Sequence, residues 1–297
     1  MSFIEMSKVR KNFGIVTALD GIDLKVNKGD IYGFIGPNGA GKTTAIRILL
    51  GIIKANSGES KIFGMDSWKD SVEIHKNLAY VPGDVNLWPN LTGGEVIDFF
   101  VKLRGKVNKK RRDELIERLG LDPSKKCRTY SKGNRQKVAL IAAFASDVDL
   151  YILDEPTSGL DPLMEKIFQE YIMEIKEAGK SVLLSSHILS EVDELCNKVS
   201  IIKQGKIIES GSLDELTYLK RISITLQTRK PIEGFEKLKG VHDIKKRGDL
   251  LLFQVDQEEM NNVIKYISGY EVIKLESSPP TLEDLFMRHY KDDGGEA

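Results

Sequence analysis

The stretch from Gly36 to Thr43 reads GPNGAGKT and fits the spacing G-x-x-x-x-G-K-[ST]. Glycines at these positions let consecutive backbone N–H groups turn inward, and a helix N-terminus behind them adds positive potential. Together they suit a di- or triphosphate. Lys42 supplies a point charge for β and γ oxygens, and the Thr43 hydroxyl is a ligand for Mg²⁺. A tight turn capping a helix has the same look, so the context decides. IYGFIG before the loop reads as a buried strand, and KTTAIRILLG after it reads as a helix stopped at Gly51.

A phosphate loop of this kind needs a carboxylate at the end of a neighbouring strand. DLYILDEP offers an apolar run ending in Asp154 and Glu155. Asp154 is then the metal-binding acid, and Glu155 is the candidate to polarise an attacking water. Without the loop, the same pair would simply terminate a strand. KSVLLSSH is a second strand ending in a polar group, and His187 would aim an imidazole at the same place, although an isolated histidine is more often structural.

Around these motifs the chain reads as α/β. SFIEMSKV and GIDLKV alternate like strands on either side of turns, and NLAYVP is another strand. From about Thr92 to Asp147 the pattern turns helical, through LTGGEVIDFFVKLRG, KKRRDELIERLG and NRQKVALIAAFA. Those helices read as an insertion into a parallel sheet. KVSIIKQGKIIESG is a hairpin turning at Gln204-Gly205. After about Tyr218 the order becomes β-α-β-β-α-β, with EGFEKLKG and QEEMNNVIKYISG as the helices, which predicts a ferredoxin-like unit. Its expected core includes Ile222, Ile224, Leu226, Leu251, Phe253 and Val255, covered by Phe235, Leu238, Val263, Ile264 and Ile267. A short amphipathic segment, TLEDLFMRHY, and a frayed tail follow.

The 297 residues carry 44 basic and 44 acidic side chains, so no overall charge draws the chain to nucleic acid or anionic lipid. KKRR at Lys109–Arg112 opens a helical stretch and reads as a solvated face. The two cysteines, Cys127 and Cys196, lie far apart without zinc-type spacing, which fits a reduced cytosolic protein. No apolar run approaches the ~18–20 residues of a membrane span, and MSFIEMSKVRKNFG lacks a signal-peptide core. The expectation is a protein soluble by itself whose membrane role, if any, comes through a partner.

In their order and spacing these motifs resemble the ATP-binding subunits of ABC transporters, over about residues 1–215. The resemblance implies a P-loop NTPase core of ABC type with an N-terminal antiparallel β subdomain and a helical subdomain at about 85–148. The ATPase domain would span 1–218 and the ferredoxin-like accessory domain 219–297. Gly36, Pro37, Asn38, Gly39, Ala40, Gly41, Lys42, Thr43 and Thr44 would hold ATP. Thr43 and Asp154 would hold Mg²⁺, and Glu155, His187 and Lys42 would serve catalysis. Phe13, in KNFG, stands where the family has an aromatic that stacks on adenine, with Val16 beside it.

YSKGN, Tyr130 to Asn134, is then the signature loop, usually LSGGQ in the family. Alone, Ser131 would be no more than a helix cap. In the family, subunits stack head to tail, so Ser131, Lys132, Gly133 and Asn134 would grip the phosphates held by a second copy. SGLD, Ser158 to Asp161, resembles the loop linking the two sites across that dimer. One departure is Gly83, at the place of the family's metal-ligating glutamine, with Asp84 next. Trp88 and its neighbours correspond to a segment beside the family's membrane-subunit groove.

The function implied is ATP hydrolysis that energises separate transmembrane subunits, from the cytoplasmic face of the cell membrane and as a homodimer. SPPTLEDLFMRHY resembles the C-terminal ending of drug, lipid and polysaccharide exporters and favours export. Ribosome-acting relatives carry tandem cassettes, and DNA-repair relatives carry a coiled coil that is absent here. A regulator that binds nucleotide without hydrolysing it is the remaining alternative, which Glu155 and His187 oppose.

Overall fold

The computed structural model describes residues 1–105, 108–218, 221–232, 234–278 and 282–283. The chain divides into two compact units, Met1–Ser212 and Leu213–Ala297.

The first unit opens with two long strands, β1 (Ser2–Phe13) and β2 (Val16–Asn27), paired antiparallel. β3 (Ile31–Ile35) follows and is buried at every residue, as its unbroken apolar run requires. Helix α1 (Lys42–Leu49) ends at Gly51, whose φ of 66° lies in the left-handed region. β4 (Ser57–Ile62) and β5 (Met65–Asp66) then complete an antiparallel sheet of order β2-β1-β4-β5. SGESKIFGMD has serines and glycines but no apolar alternation, and three of the six residues of β4 are exposed. Pairing with β1, not an apolar pattern, makes it a strand.

A short helix α2 (Ser71–Ile74) leads into β6 (Leu78–Val81). The helical insertion follows as α3 (Gly93–Leu103), α4 (Lys109–Arg118) and α5 (Lys132–Phe144). Thr92 and Glu95 form a reciprocal capping box on α3. Arg104, just beyond α3, donates to the Leu78 and Ala142 carbonyls and to Ser146 Oγ, tying the insertion to the sheet. β7 (Leu150–Asp154), α6 (Pro162–Glu177), β8 (Ser181–Ser186), α7 (Leu189–Leu195), β9 (Lys198–Lys203) and β10 (Lys206–Ser212) finish the unit.

The central sheet has the order β10-β9-β3-β8-β7-β6. All pairs are parallel except β10–β9, the hairpin that turns at Gln204 and Gly205. β3 is therefore flanked by β8, and β8 by β7. Their carboxyl ends fall side by side, with Ile35 level with Ser186 and Ser185 level with Asp154. Open α/β sheets bind ligands in the crevice beyond such strand ends.

The second unit begins with α8 (Leu213–Tyr218) and holds β11 (Ile222–Thr228), β12 (Val241–Arg247), β13 (Leu250–Val255), α9 (Met260–Ile267) and β14 (Val272–Ser278). Its sheet order is β12-β13-β11-β14, antiparallel throughout, as in a ferredoxin-like unit. A core of Ile224, Leu226, Phe235, Phe253, Val255, Val263 and Ile267 lies on one face. Two expectations are corrected. EGFEKLKG is no α-helix; only a 3₁₀ turn forms over Phe235–Lys237, between Gly234 and Gly240, which both have positive φ. Glycines that close together leave no room for the several turns an α-helix needs. Ile264 is 44% exposed, because the buried stripe of α9 runs through Val263 and Ile267. TLEDLFMRHY lies outside the described residues apart from Leu282 and Glu283.

Candidate functional site

The loop Gly36–Gly41 leaves the buried end of β3 and runs into α1. Gly41 is the N-cap residue, with φ 112°, and a Cβ there would sit 2.7 Å from the Ala18 carbonyl oxygen. Both the conformation and the space demand glycine. Ala40 is buried, its N–H bonds the Pro37 carbonyl, and its own carbonyl accepts from Gly205 N–H. Asn38 and Gly39 form the exposed crest.

The start of α1 differs from the other long helices of this unit. Thr92, Asn108, Ser131 and Asp161 each accept a hydrogen bond from the first turn of α3, α4, α5 and α6. Helix α1 has no side-chain cap and no acidic residue in its first turn. Its first donors and its dipole are left for an anion from outside the helix, which is the physical fit of this loop to phosphate. Thr43 and Thr44, half-buried, stand in that turn.

Lys42 is 5% exposed. Its ammonium donates to the Gly36 carbonyl at 2.5 Å and the Pro37 carbonyl at 3.3 Å, and lies 3.1 Å from Glu155 Oε1. Glu155 Oε1 is buried and makes no hydrogen bond, so the Lys42 charge is what compensates it. The other carboxylate oxygen, Oε2, pairs with His187 Nδ1. Lysine, glutamate and histidine thus converge from the ends of three adjacent strands. Glu155 also has φ 49°, unusual for a residue with a side chain, and its N–H is held by the Ser185 carbonyl at 3.0 Å.

Asp154 is buried at the end of β7, and Ser185 Oγ donates to its Oδ1 at 2.5 Å. Among the described residues no group of three or more His, Cys, Asp or Glu forms a metal cage. Mg²⁺ is commonly held by one or two protein oxygens together with phosphate oxygens and water, so a lone buried carboxylate beside a phosphate loop fits that ion. Gly83 packs against Asp154, where a Cβ would meet its carbonyl oxygen at 3.2 Å. The adjacent Asp84 is exposed, with its carboxylate 3.5 Å from Asn86 Nδ2.

The expected signature loop forms a second cluster. Ser131 caps α5 by accepting from Asn134 N–H at 3.3 Å. Lys132 Nζ donates to Ser158 Oγ at 2.7 Å, and Gly133 is so close to the next turn that a Cβ would meet the Gly159 carbonyl at 2.5 Å. Gln136, buried, donates to the Pro156 carbonyl. The start of α5 and the turn after Glu155 are therefore one packed element. Asp161 caps α6, accepting from Met164 N–H. Phe13 and Val16 face each other across the β1–β2 hairpin and are 51% and 61% exposed, with the Lys11 ammonium 5.0 Å from the Phe13 ring centre.

Sequence reasoning missed the polar groups beneath these loops. Ser186 Oγ accepts from Ile188 N–H and donates to Glu191 Oε2 at 2.7 Å, so the turn carrying His187 hangs on a buried carboxyl. Glu191 sits in a helix whose sequence, LSEVDEL, looks solvated, and nothing in that pattern marks it. Burial pushes its carboxyl above the ordinary 4.5, against the lowering effect of hydrogen bonds from Ser186 and Thr157. A raised native pKa means the folded protein keeps a proton that the unfolded chain has lost. This contribution to stability is full below 4.5 and is lost as pH rises through the native value. Glu191→Gln should therefore melt higher than the parent at neutral pH, with the gap shrinking toward pH 4.5. Parallel thermal melts check this, and a gap that stays constant across that range would refute it.

The fold is that of an ATP-binding cassette. A family model described as ABC transporter matches residues 19–158, and one described as ATP-binding protein DrrA1-3-like, C-terminal domain, matches residues 211–290. The bacitracin transport ATP-binding protein BcrA of Bacillus licheniformis is 33% identical over 296 residues, covering 97% of each chain. The linearmycin resistance ATP-binding protein LnrL of Bacillus subtilis is 33% identical over 218 residues, 72% of this chain and 70% of that one. A solved ATP-binding subunit of an ABC transporter superposes with a TM-score of 0.67 at 29% identity, over 72% of this chain and 91% of its own. The chain belongs to the ABC transporter ATP-binding proteins, a family of ATPases.

Proposed function

We propose that this chain is the Mg²⁺-dependent ATPase subunit of an exporter, working as a homodimer on separately encoded membrane subunits. The observation that carries the reading is the convergence of Lys42, Glu155 and His187 beside the uncapped start of α1. The N–H groups of the Gly36–Gly41 loop and of α1 bind the phosphates, and Phe13 with Val16 offers an exposed apolar platform to the base. Lys42 moves from the loop carbonyls onto the β and γ oxygens. Thr43 and Asp154 would hold Mg²⁺, which would supply charge neutralisation at the phosphates. Glu155 takes the proton of the attacking water, and His187 holds the Glu155 carboxylate in position.

Ser131, Lys132, Gly133 and Asn134 serve a second copy's phosphates, with Ser158 and Asp161 joining the two sites. Lys132 brings positive charge to an anionic site, which offsets the missing glycine of the usual loop. No described helix is long and apolar enough to cross a membrane, so a membrane role needs a partner. The exposed hollow of 430 Å³ lined by Trp88, Pro89, Leu91 and Phe99 is our candidate for where that partner docks. The names of BcrA and LnrL, a bacitracin transport and a linearmycin resistance protein, favour export.

Purified protein should hydrolyse ATP with Mg²⁺ and lose that activity with EDTA. Used as bait on detergent-solubilised membranes of its source cells, it should co-purify with a multi-span subunit, and Trp88→Ala should weaken that capture without altering basal ATPase. Absence of Mg²⁺-dependent turnover in the isolated chain and in the assembled complex would leave the nucleotide-binding regulator as the better reading.

A further inference from the structure

We infer that the C-terminal unit pairs with a second copy of this chain, edge to edge, through strand β14. The sheet β12-β13-β11-β14 ends in two edges of opposite character. β12 is blunted: its register with β13 shifts between His242 and Lys245, Asp243 has φ 51°, and the strand finishes in Lys245, Lys246 and Arg247. A bulge and three like charges keep another strand away. β14 shifts against β11 only at its start, between Val272 and Lys274. It follows β11 without a shift from Lys274 to Ser278, and all seven of its residues are exposed. Val272, Ile273 and Leu275 are 40%, 57% and 44% exposed.

The charges on β14 select the occupant. Lys274 and Glu276 share a face, with Nζ and Oε1 3.0 Å apart. If two β14 strands run antiparallel about a two-fold axis at Leu275, Lys274 of each copy opposes Glu276 of the other, and Leu275 opposes Leu275. Centring the axis on residue 274 sets lysine against lysine, and centring it on residue 276 sets glutamate against glutamate. Cross-strand opposite charges stabilise a pair and like charges destabilise it, so the strand is complementary to itself in one register. Pro279-Pro280 follows directly in the sequence, and proline donates no ladder hydrogen bond, which limits the contact to β14 itself. Among the described strands, the joined sheet then has only the two basic, bulged β12 edges left, so this contact closes at a dimer instead of growing into a fibre.

This contact needs no nucleotide, so its failure and the failure of the ATPase reading are separate results. The test uses the full chain without ATP. Leu275→Cys should give a disulfide-linked dimer under mild oxidation, since the two side chains meet on the axis. Ile273→Cys should not, because its opposite number is Ser277. The native Cys127 and Cys196 are buried, so the parent is a silent background. Lys274→Glu and Glu276→Lys should each weaken self-association by about tenfold or more in sedimentation velocity. Mixed in equal amounts, the two variants should form a heterodimer at parental strength, since every charge then faces its opposite. A fold defect in either variant cannot produce that restoration. Equal cross-linking of Ile273→Cys, no cross-linking of Leu275→Cys, or no recovery on mixing would each overturn the inference.

Discussion

Glu155→Gln should cut ATP turnover by roughly 10²–10⁴-fold, the range for loss of a general base, while nucleotide affinity stays equal or tightens. Glutamine keeps the shape of the side chain but cannot take a proton from water. In the present structure Glu155 Oε1 lies 3.1 Å from the Lys42 ammonium, so it would compete with a bound phosphate for that charge. Removing that negative charge frees the lysine and removes repulsion against the γ-phosphate. In a Lys274→Glu background, which weakens the β14 contact, the variant should therefore accumulate as an ATP-loaded dimer, seen as a shift in light scattering when ATP and Mg²⁺ are added. A variant that turns over like the parent and stays monomeric would show that Glu155 has neither role. A reduced dimer population with turnover still abolished would keep the base and assign part of the dimer's stability to the membrane partner.

Lys42→Ala should weaken ATP binding by roughly 10- to 150-fold, the worth of a charged hydrogen bond of about 1.5–3 kcal/mol, and abolish hydrolysis. Here the loss has two parts. The β and γ oxygens lose their point charge, and the buried Glu155 Oε1 loses the only cation described near it. The double variant Lys42→Ala/Glu155→Gln separates them. It should recover whatever fold stability the single change lost, since no uncompensated carboxylate remains, but not nucleotide affinity. Titration with a fluorescent ATP analogue and thermal melts read the two parts independently. Unchanged affinity in Lys42→Ala would remove the loop from the nucleotide site.

The motifs that are candidates for the chemistry were legible because each is local. GPNGAGKT needs its glycines for one backbone path, and Gly41 does occupy a φ of 112° that other residues resist. Strands such as IYGFI and LYILD are buried on both faces and so read as apolar runs. β4 and β5 were not legible, because an exposed edge hairpin of serine, glycine and glutamate is made by its partner strand. The helix expected over EGFEKLKG failed because helical spacing was counted without the cost of the glycines at 234 and 240.

By itself, then, the sequence determined which residues are candidates for phosphate and acid–base chemistry, the parallel character of the central sheet, and the strands and second helix of the C-terminal unit. Tertiary structure alone decided the rest. Strand order set β8 between β3 and β7 and so brought Lys42, Glu155 and His187 to one point. Packing turned Ser131–Gly133 and Ser158–Gly159 into one element and buried Glu191 under the His187 turn. Which edge of the C-terminal sheet is blunted, and which is left unpaired among the described strands, was likewise settled by pairing across the sheet. The division has a physical cause. Backbone conformation and amphipathic period are fixed within a few neighbouring residues, whereas burial and side-chain partnership depend on contacts between strands and loops far apart in the chain.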